Sequence, residues 1–310
     1  MKILVTGATG FIGSAFCRLA LSHGHEIAGM MLPTEQPPLT LSLSPSNGER
    51  VSRRTGEGKL VWLKGTLAGL PWREIETFQP EVCVHFAWIA TPGVYLESPE
   101  NENYLRWSLD LVHRLRVLGT NHIVGVGTCI EYRITDAPLS EEHTPVYPTT
   151  LYSRCKNALR AALEAEARRD GWHFCWGRVF YPYGVGEHPA RLCSALIQKL
   201  RRGEKLLLKT PNSTKDYIYI EDLAAAILLT VEKKFTGTIN WGTGAGVSVR
   251  QIADSMATLL GRPDLVEEAS LVEKDPLGYV VADATRLKHL GWKQEFNLEL
   301  GLGELLRTSG

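Results

Sequence analysis

The chain has 310 residues, 44% hydrophobic and 22% charged, and its 34 basic residues balance 34 acidic ones. That is ordinary globular composition, long enough for one large core plus a smaller lobe. A net charge of zero gives no case for a nucleic acid or a membrane surface as partner, and no apolar run approaches the ~20 residues that a bilayer span needs.

Lys2–Thr6 is a short β-rich run. Gly7-Ala8-Thr9-Gly10-Phe11-Ile12-Gly13 follows, and Ser14–His23 then shows helical periodicity through Ala15, Phe16, Leu19 and Ala20. This is strand, glycine turn, helix. A pyrophosphate seats on such a helix N-terminus, where backbone N–H groups and the dipole favour an anion. Gly7 permits the turn, Gly10 lets the backbone approach phosphate, and Gly13 lets helix pack on strand. The Gly-x-x-Gly-x-x-Gly spacing differs by one residue from the commonest dinucleotide fingerprint. The chain passes from Met1 straight into this motif, which reads as no signal peptide. The six cysteines (Cys17, Cys83, Cys129, Cys155, Cys175, Cys193) form no Cys-x-x-Cys pair, so buried reduced thiols in a cytoplasmic protein are expected, with no metal site.

His25–Leu32 reads as the second strand. An acid for the ribose hydroxyls of NAD is expected near its end. Met30, Met31 and Leu32 stand there, the nearest acid is Glu35, and no arginine stands there for NADP, so the cofactor is NAD or NADP. Pro33–Gly58 carries Pro33, Pro37, Pro38 and Pro45 with no sustained period and reads as a flexible surface insertion. A sharper alternative lets Arg50, Arg53 or Arg54 fold back onto a 2′-phosphate.

Lys59–Leu63 and Val82–Phe86 read as strands, Asn103–Leu118 as a helix and His122–Thr128 as the fifth strand. Strands alternating with helices predict an α/β fold, a Rossmann-type doubly wound parallel sheet with right-handed connections. Ligands of such sheets bind beyond the carboxyl ends of the strands. Thr128 lies at one, with a hydroxyl suited to a substrate oxygen. Tyr152 and Lys156 stand four apart on a predicted helix, so they share a face. A tyrosine keeps its proton to a pKa near ~10. A neighbouring cation favours the phenolate and readies it for proton exchange with a carbonyl or alcohol.

Phe174–Phe180 is the sixth strand, and Tyr181-Pro182-Tyr183-Gly184 leads the chain out of the sheet. Helices are predicted at Ala190–Arg202, Leu223–Glu232 and Ser248–Leu260, with Ser248 as N-cap. Lys215–Asp222 starts as strand, Thr238–Trp241 is another strand, and Asp283–Leu290 opens a last helical region. The second half lacks a βα rhythm and reads as a smaller C-terminal α+β substrate lobe. The predicted division is 1–180 plus about 215–242 for the dinucleotide domain, with 33–58 inserted, and 181–214 plus 243–310 for the lobe.

These residues together resemble the extended short-chain dehydrogenase/reductases, the nucleotide-sugar epimerase/dehydratase group. The likeness is carried by the glycine motif, His85 and Ala87, Asn103, Thr128 with Tyr132, Tyr152 with Lys156, Arg178-Val179-Phe180, Lys215–Asp222, Asn240–Gly244, and Asp283 before Leu290-Gly291-Trp292. It implies a nucleoside-diphosphate sugar as substrate and hydride exchange between sugar and nicotinamide. By this resemblance Tyr152 is the acid/base, Lys156 binds the nicotinamide ribose and lowers the Tyr152 pKa, and Thr128 binds the reacting oxygen. Gly7, Thr9, Gly10, Phe11, Ile12, Gly13, Thr66, Ala87, Tyr152, Lys156 and Phe180 then hold cofactor. Trp88, Asn103, Cys129, Tyr181 and Lys215 hold substrate. The protein supplies orientation and a proton while the cofactor supplies the hydride chemistry.

Departures narrow the subtype. Members that eliminate water carry Asp-Glu after the threonine, where this chain has Cys129 and Ile130. Glu131 would restore that chemistry only by facing the site. Tyr181 replaces the family's asparagine, Thr66 its adenine-binding aspartate, and Lys215 an arginine, which loses the bidentate fork. The Gly127–Tyr132 run and the Trp88–Leu96 segment resemble the branch that reduces 4-keto-6-deoxy sugars. The first expectation is therefore an NAD(P)-dependent reductase of a nucleotide-activated 4-keto-6-deoxyhexose. The alternatives are an NAD-dependent C4 epimerase and a non-catalytic dinucleotide-binding regulator. A homodimer through the Asn103–Leu118 helix and the Tyr152 helix is expected.

Overall fold

The computed structural model describes residues 1–36 and 58–308. Most of the Pro33–Gly58 stretch, with Arg50, Arg53 and Arg54, lies outside the described residues. The first half runs β1 Lys2–Thr6, α1 Phe11–Ser22, β2 Glu26–Met31, β3 Leu60–Lys64, α2 Trp72–Phe78, β4 Val82–His85, α3 Glu100–Val117, β5 His122–Thr128, α4 Leu151–Asp170 and β6 His173–Val179. The second runs β7 Tyr181–Tyr183, α5 Leu192–Arg201, β8 Leu206–Leu208, β9 Thr214–Lys215, β10 Tyr217–Tyr219, α6 Ile220–Glu232, β11 Gly237–Trp241, β12 Val247–Ser248, α7 Val249–Leu259, β13 Val266–Glu268, β14 Tyr279–Val280, α8 Thr285–His289 and α9 Leu298–Thr308.

Seven strands form one parallel sheet in the order β11-β6-β5-β4-β1-β2-β3. The order turns round between β1 and β4, which pair in register from Ile3 opposite Val82 to Thr6 opposite His85. That reversal is the switch point where doubly wound sheets take their ligands. The expected Rossmann-type fold is the one observed.

Residue contacts divide the chain into two compact units. The first comprises 1–127, 149–177 and 224–238, the second 128–148, 178–223 and 239–310. These bounds differ from the sequence division chiefly at 128–148. That segment joins the second unit because Cys129, Tyr132 and Leu139 pack in a buried cluster with Phe180, Val280 and Ala282.

In the first unit, Leu111 and Leu115 of α3 and Leu159 and Leu163 of α4 share one buried cluster with Leu4, Cys83 and Ile123 of the sheet. Apolar residues three and four apart give each helix this stripe. The second unit carries three small sheets, β10-β7, β12-β9-β14 and β13-β8. Asp216, wholly buried, ties it together, its carboxylate accepting from Thr243 N–H and Oγ1, Gly244 N–H and Ala282 N–H at 2.7–3.1 Å. All six cysteines are buried and free. Among the described residues, no helix is long and apolar enough to cross a membrane.

Candidate active site

The glycine turn leaves β1 with Gly7 at φ +68°, the left-handed region. A Cβ there would stand 2.9 Å from the Ala87 nitrogen, so Ala87 at the end of β4 touches the turn directly. A Cβ on Gly13 would overlap the Gly7 carbonyl. Gly13 therefore packs α1 on the turn itself, a closer contact than the helix-on-strand packing expected. Gly10 is the N-cap of α1, whose first turn contains no acid. The N–H groups of Phe11, Ile12 and Gly13 open that helix, where no intrahelical acceptor exists for them. These backbone donors have the arrangement expected of a phosphate cradle.

Thr9 donates its hydroxyl proton to Glu35 Oε2 at 2.8 Å, and that oxygen also accepts from Leu32 N–H at 3.0 Å. The strand end lacks an acid, but the next turn returns one to the glycine motif. Thr66 is exposed and its hydroxyl accepts from Gly69 N–H at 3.0 Å within a tight turn.

A hydrogen-bond chain fixes Ala87 from below. Ala87 N–H donates to Thr6 Oγ1 at 3.2 Å, Thr6 Oγ1 lies 2.7 Å from His85 Nδ1, and His85 Nε2 lies 2.8 Å from Ser108 Oγ. Ser108 spends its own proton on the Tyr104 carbonyl at 2.6 Å, so its oxygen accepts from His85. His85 is thus the Nε2–H tautomer, and its Nδ1 takes the Thr6 proton. Burial, reinforced by the Lys156 charge, pulls its pKa down to about 3, which keeps the ring neutral.

Thr150 caps α4 by accepting from Ser153 N–H, which places Tyr152 in the first turn of the helix. Lys156 follows on the stripe that carries Leu159 and Leu163, so its ammonium is buried, with 2% exposure. A buried ammonium needs partners. Lys156 Nζ donates to the Val126 carbonyl at 2.8 Å and stands 4.0 Å from the centre of the Trp88 ring. It is 5.9 Å from the Tyr152 ring centre. The half-buried Tyr152 ring meets the edge of Tyr95 at 4.9 Å, and Trp88 leans on Tyr104 at 5.7 Å. Trp88 Nε1–H donates to Asn101 Oδ1 at 2.7 Å, while the Asn101 amide donates to the Tyr95 and Ser98 carbonyls. The predicted substrate residue Asn103 instead bonds Glu100 and Arg106 along its own helix. Asn101, two residues earlier and wholly buried, is the asparagine that organises this wall. The pattern Asn-x-Asn at a helix start was the available signal.

The remaining predicted residues belong to the second unit. Thr128 caps a single turn, Cys129–Glu131: Glu131 Oε1 accepts from Thr128 N–H at 2.9 Å, and the Thr128 side chain accepts from Glu131 N–H. Glu131 Oε2 accepts from Arg178 Nε at 2.8 Å, with both partners buried. Glu131 is therefore consumed rather than turned to solvent, and it does not restore the acid missing at Ile130. Cys129, expected to touch substrate, is 3% exposed and burial pushes its thiol up to about 12. Phe180 likewise gives its ring to the core. Tyr181 is half-buried, its ring 5.8 Å from that of Tyr217, with Lys215 Nζ at 5.6 Å. Lys215, expected to meet a diphosphate, is buried and already bonded to Asp275 at 2.9 Å and to the Leu277 carbonyl. Sequence reasoning missed Asp275, which lies 60 residues away in the chain.

The model of the NAD dependent epimerase/dehydratase family matches residues 3–242, which include the glycine turn, Thr128, Tyr152, Lys156 and Asp216. The chain belongs to that family. A UDP-glucose 4-epimerase of Corynebacterium glutamicum is 27% identical over 95% of this chain and 91% of the relative. A dTDP-L-rhamnose 4-epimerase of Burkholderia thailandensis is 24% identical over 98% of this chain and 93% of its own length. Among solved structures, the Thermus thermophilus UDP-glucose 4-epimerase complex with NAD superposes with a TM-score of 0.80 at 25% identity, covering 99% of this chain and 98% of the other.

Proposed function

We propose that this protein is an NAD-dependent oxidoreductase acting at C4 of a nucleotide-activated hexose, and that it interconverts the two C4 epimers. The observation that carries the reading is the buried Lys156 ammonium, fixed by a carbonyl and an indole beside Tyr152. Bound NAD supplies the hydride acceptor and donor. Gly7, Gly10 and the first turn of α1 hold its phosphates, and Glu35 supplies the ribose acceptor. Tyr152 takes the C4 hydroxyl proton and returns it, and Thr128 is the hydroxyl expected to bind the reacting oxygen. Elimination is disfavoured because Cys129, Ile130 and the consumed Glu131 leave no second acid beside Thr128. The 4-epimerases among the relatives support the same step.

A second reading, reduction of a 4-keto-6-deoxy sugar, is favoured by the aromatic wall. The rings of Trp88 and Tyr95 meet Tyr152, with Tyr104 against Trp88, and such apolar surface suits a deoxygenated carbon better than a hydroxylated one. In either case α3 and α4 form the interface of a homodimer, an assignment that a monomeric mass at micromolar concentration would refute.

The deciding experiment gives the protein UDP-galactose without added cofactor and, separately, dTDP-4-keto-6-deoxyglucose with NADH or NADPH, and follows products by NMR. Epimerisation yields UDP-glucose with no net consumption of dinucleotide. Stoichiometric oxidation of NADH or NADPH selects reduction. Inactivity in both, with no dinucleotide bound, overturns the proposal. Tyr152→Phe is expected to lose ~10²–10⁴ in kcat, the range for a removed general acid.

A further inference from the structure

The structure assigns Glu131 and Arg178 a task in catalysis: together they are a buried clamp that fixes where the Thr128 hydroxyl points. This rests on the reading of Thr128 as the group that holds the reacting oxygen.

The argument begins with burial. Glu131 is 0% and Arg178 2% exposed, and their contact is 2.8 Å. A buried ion pair is weak evidence for stability, since hydrophobic residues of equal volume often serve as well. It calls for another role. Each oxygen of Glu131 has a separate partner. Oε2 takes Arg178 Nε–H, and Oε1 takes the main-chain N–H of Thr128. The carboxylate thus links a residue at the end of β6 to the last residue of β5. The guanidinium is held from its other side, 4.2 Å from the Tyr132 ring centre, and the Tyr132 hydroxyl donates to Asn240 Oδ1 at 2.8 Å. The Glu131 carbonyl is occupied as well, accepting from Tyr147 N–H at 2.8 Å.

Thr128 leaves the strand at φ −145°, ψ 146°, and the next residue starts a helical turn. Nothing in a strand ladder fixes a side chain at such a corner. The reciprocal bonds to Glu131 do. The Thr128 oxygen gives a lone pair to Glu131 N–H and its hydroxyl also meets the Cys129 thiol, so the cap fixes the oxygen while the weak sulfur contact is one that a substrate oxygen can replace. Misplacing a catalytic group by ~1 Å costs about 10²-fold in rate, and the clamp is suited to prevent that. Glu131 and Arg178 are positioning residues, acting through Thr128.

The test compares Glu131→Gln, which keeps an acceptor for Thr128 N–H, with the double variant E131L/R178M, which removes the pair without stranding a charge. UDP-galactose and dTDP-4-keto-6-deoxyglucose are the probes, and exchange of the Thr128 amide is read by hydrogen–deuterium exchange on the whole protein. The expected result in Glu131→Gln is a Thr128 amide that stays protected, with kcat lowered less than in the double variant because only the charge on Arg178 loses its partner. In E131L/R178M, kcat falls about 10–100-fold with KM unchanged, and the amide exchanges at least about tenfold faster. In a Thr128→Ala background, removing the pair costs no further kcat, the non-additivity expected of groups acting as a unit. A further loss there, or normal kcat and protection in E131L/R178M, overturns the proposal. Should E131L/R178M fail to fold, the wild-type protein still decides, because a freely exchanging Thr128 amide contradicts the clamp. Wild-type turnover in Thr128→Ala alone refutes the role given to Thr128, an outcome separate from the exchange result.

Discussion

Glu35 offers a direct test of how the chain selects its dinucleotide. Its Oε2 sits 2.8 Å from Thr9 Oγ1 and 3.0 Å from Leu32 N, so the charge stands at the glycine turn although its residue lies past the strand. The 2′-phosphate that distinguishes NADP would bring a charge of roughly −2 at neutral pH. At ~6 Å and an effective dielectric of ~40, between the surface and bulk-water values, each unit pair costs about 1.4 kcal/mol. Two charges give ~3 kcal/mol, and screening over a Debye length of ~8 Å leaves roughly 1.5 kcal/mol, or about tenfold in Kd. Glu35→Gln keeps the acceptor for Thr9 and removes the charge. It is expected to tighten NADPH about tenfold while NADH changes by about threefold or less, consistent with the loss of one charge-assisted bond. Titration calorimetry at 0.15 M and 1 M salt reads both, and the wild-type discrimination should shrink at high salt. An NADH/NADPH ratio in Glu35→Gln within twofold of wild type would refute the assignment.

Three further perturbations follow from the same geometry. Gly7→Ala forces φ +68° on a residue with a Cβ that meets Ala87 N at 2.9 Å. The left-handed backbone and the overlap together are expected to cost ~2–5 kcal/mol, read as a lowered Tm and lost dinucleotide binding; an unchanged melt would contradict the close approach. Asn101→Ala strands the Trp88 indole N–H and two carbonyls, with an expected loss of about 2–4 kcal/mol and a shift in tryptophan emission, both absent if Asn101 is merely helical surface. His85 has a folded pKa of about 3 against 6.5 for the free side chain. The unfolded chain binds the extra proton between those values, so stability is complete above 6.5 and falls with acidification, by up to ~1.4 kcal/mol per pH unit. His85→Gln should flatten the Tm–pH slope between about pH 4 and 6, and a slope equal to wild type would show that His85 does not carry it.

The regular part of the fold was legible because its signals are local. β1 and β5 have the predicted limits, and Ser248 caps α7 as expected. The helix predicted from Ser14 begins at Phe11, since the glycines disguise a first turn that backbone geometry still permits. The Lys215–Asp222 run was expected to start as strand and lead into a helix at Leu223; Asp216 splits the strand and the helix starts at Ile220, and the Asp216 carboxylate collects four donors from distant loops, which no local pattern announces. Helices α2 and α9 and the short strands β8, β13 and β14 were missed, being too short or too weakly periodic to stand out. At the site, spacing found the Tyr152–Lys156 pair and the glycine turn. It did not find what neutralises each charge. Val126 carbonyl, Asp275 and Arg178 meet Lys156, Lys215 and Glu131 only through tertiary folding.

Those neutralising contacts also bear on the chemistry. Elimination from a sugar requires two proton-handling groups besides the tyrosine, one for the departing hydroxyl and one for the ring proton. Cys129 with a pKa of about 12 is no acid at neutral pH, and Glu131 is committed to Thr128 and Arg178. The reaction we propose therefore stops at the ketone level, where one tyrosine suffices for oxidation and for reduction. A 4-ketone formed in the site can be reduced again from the opposite face, which is epimerisation. A 4-ketone that arrives from solution is reduced once. Retention of the dinucleotide separates the two, because only a cofactor restored within each turnover need never leave. The Lys215–Asp275 pair adds a second condition to the proposal: a diphosphate that used Lys215 would compete with Asp275 for its cation. Asp275→Asn is expected to tighten binding of the free nucleoside diphosphate about tenfold if Lys215 is its ligand, by freeing one buried charge-assisted bond. Unchanged binding would place the diphosphate elsewhere in the chain.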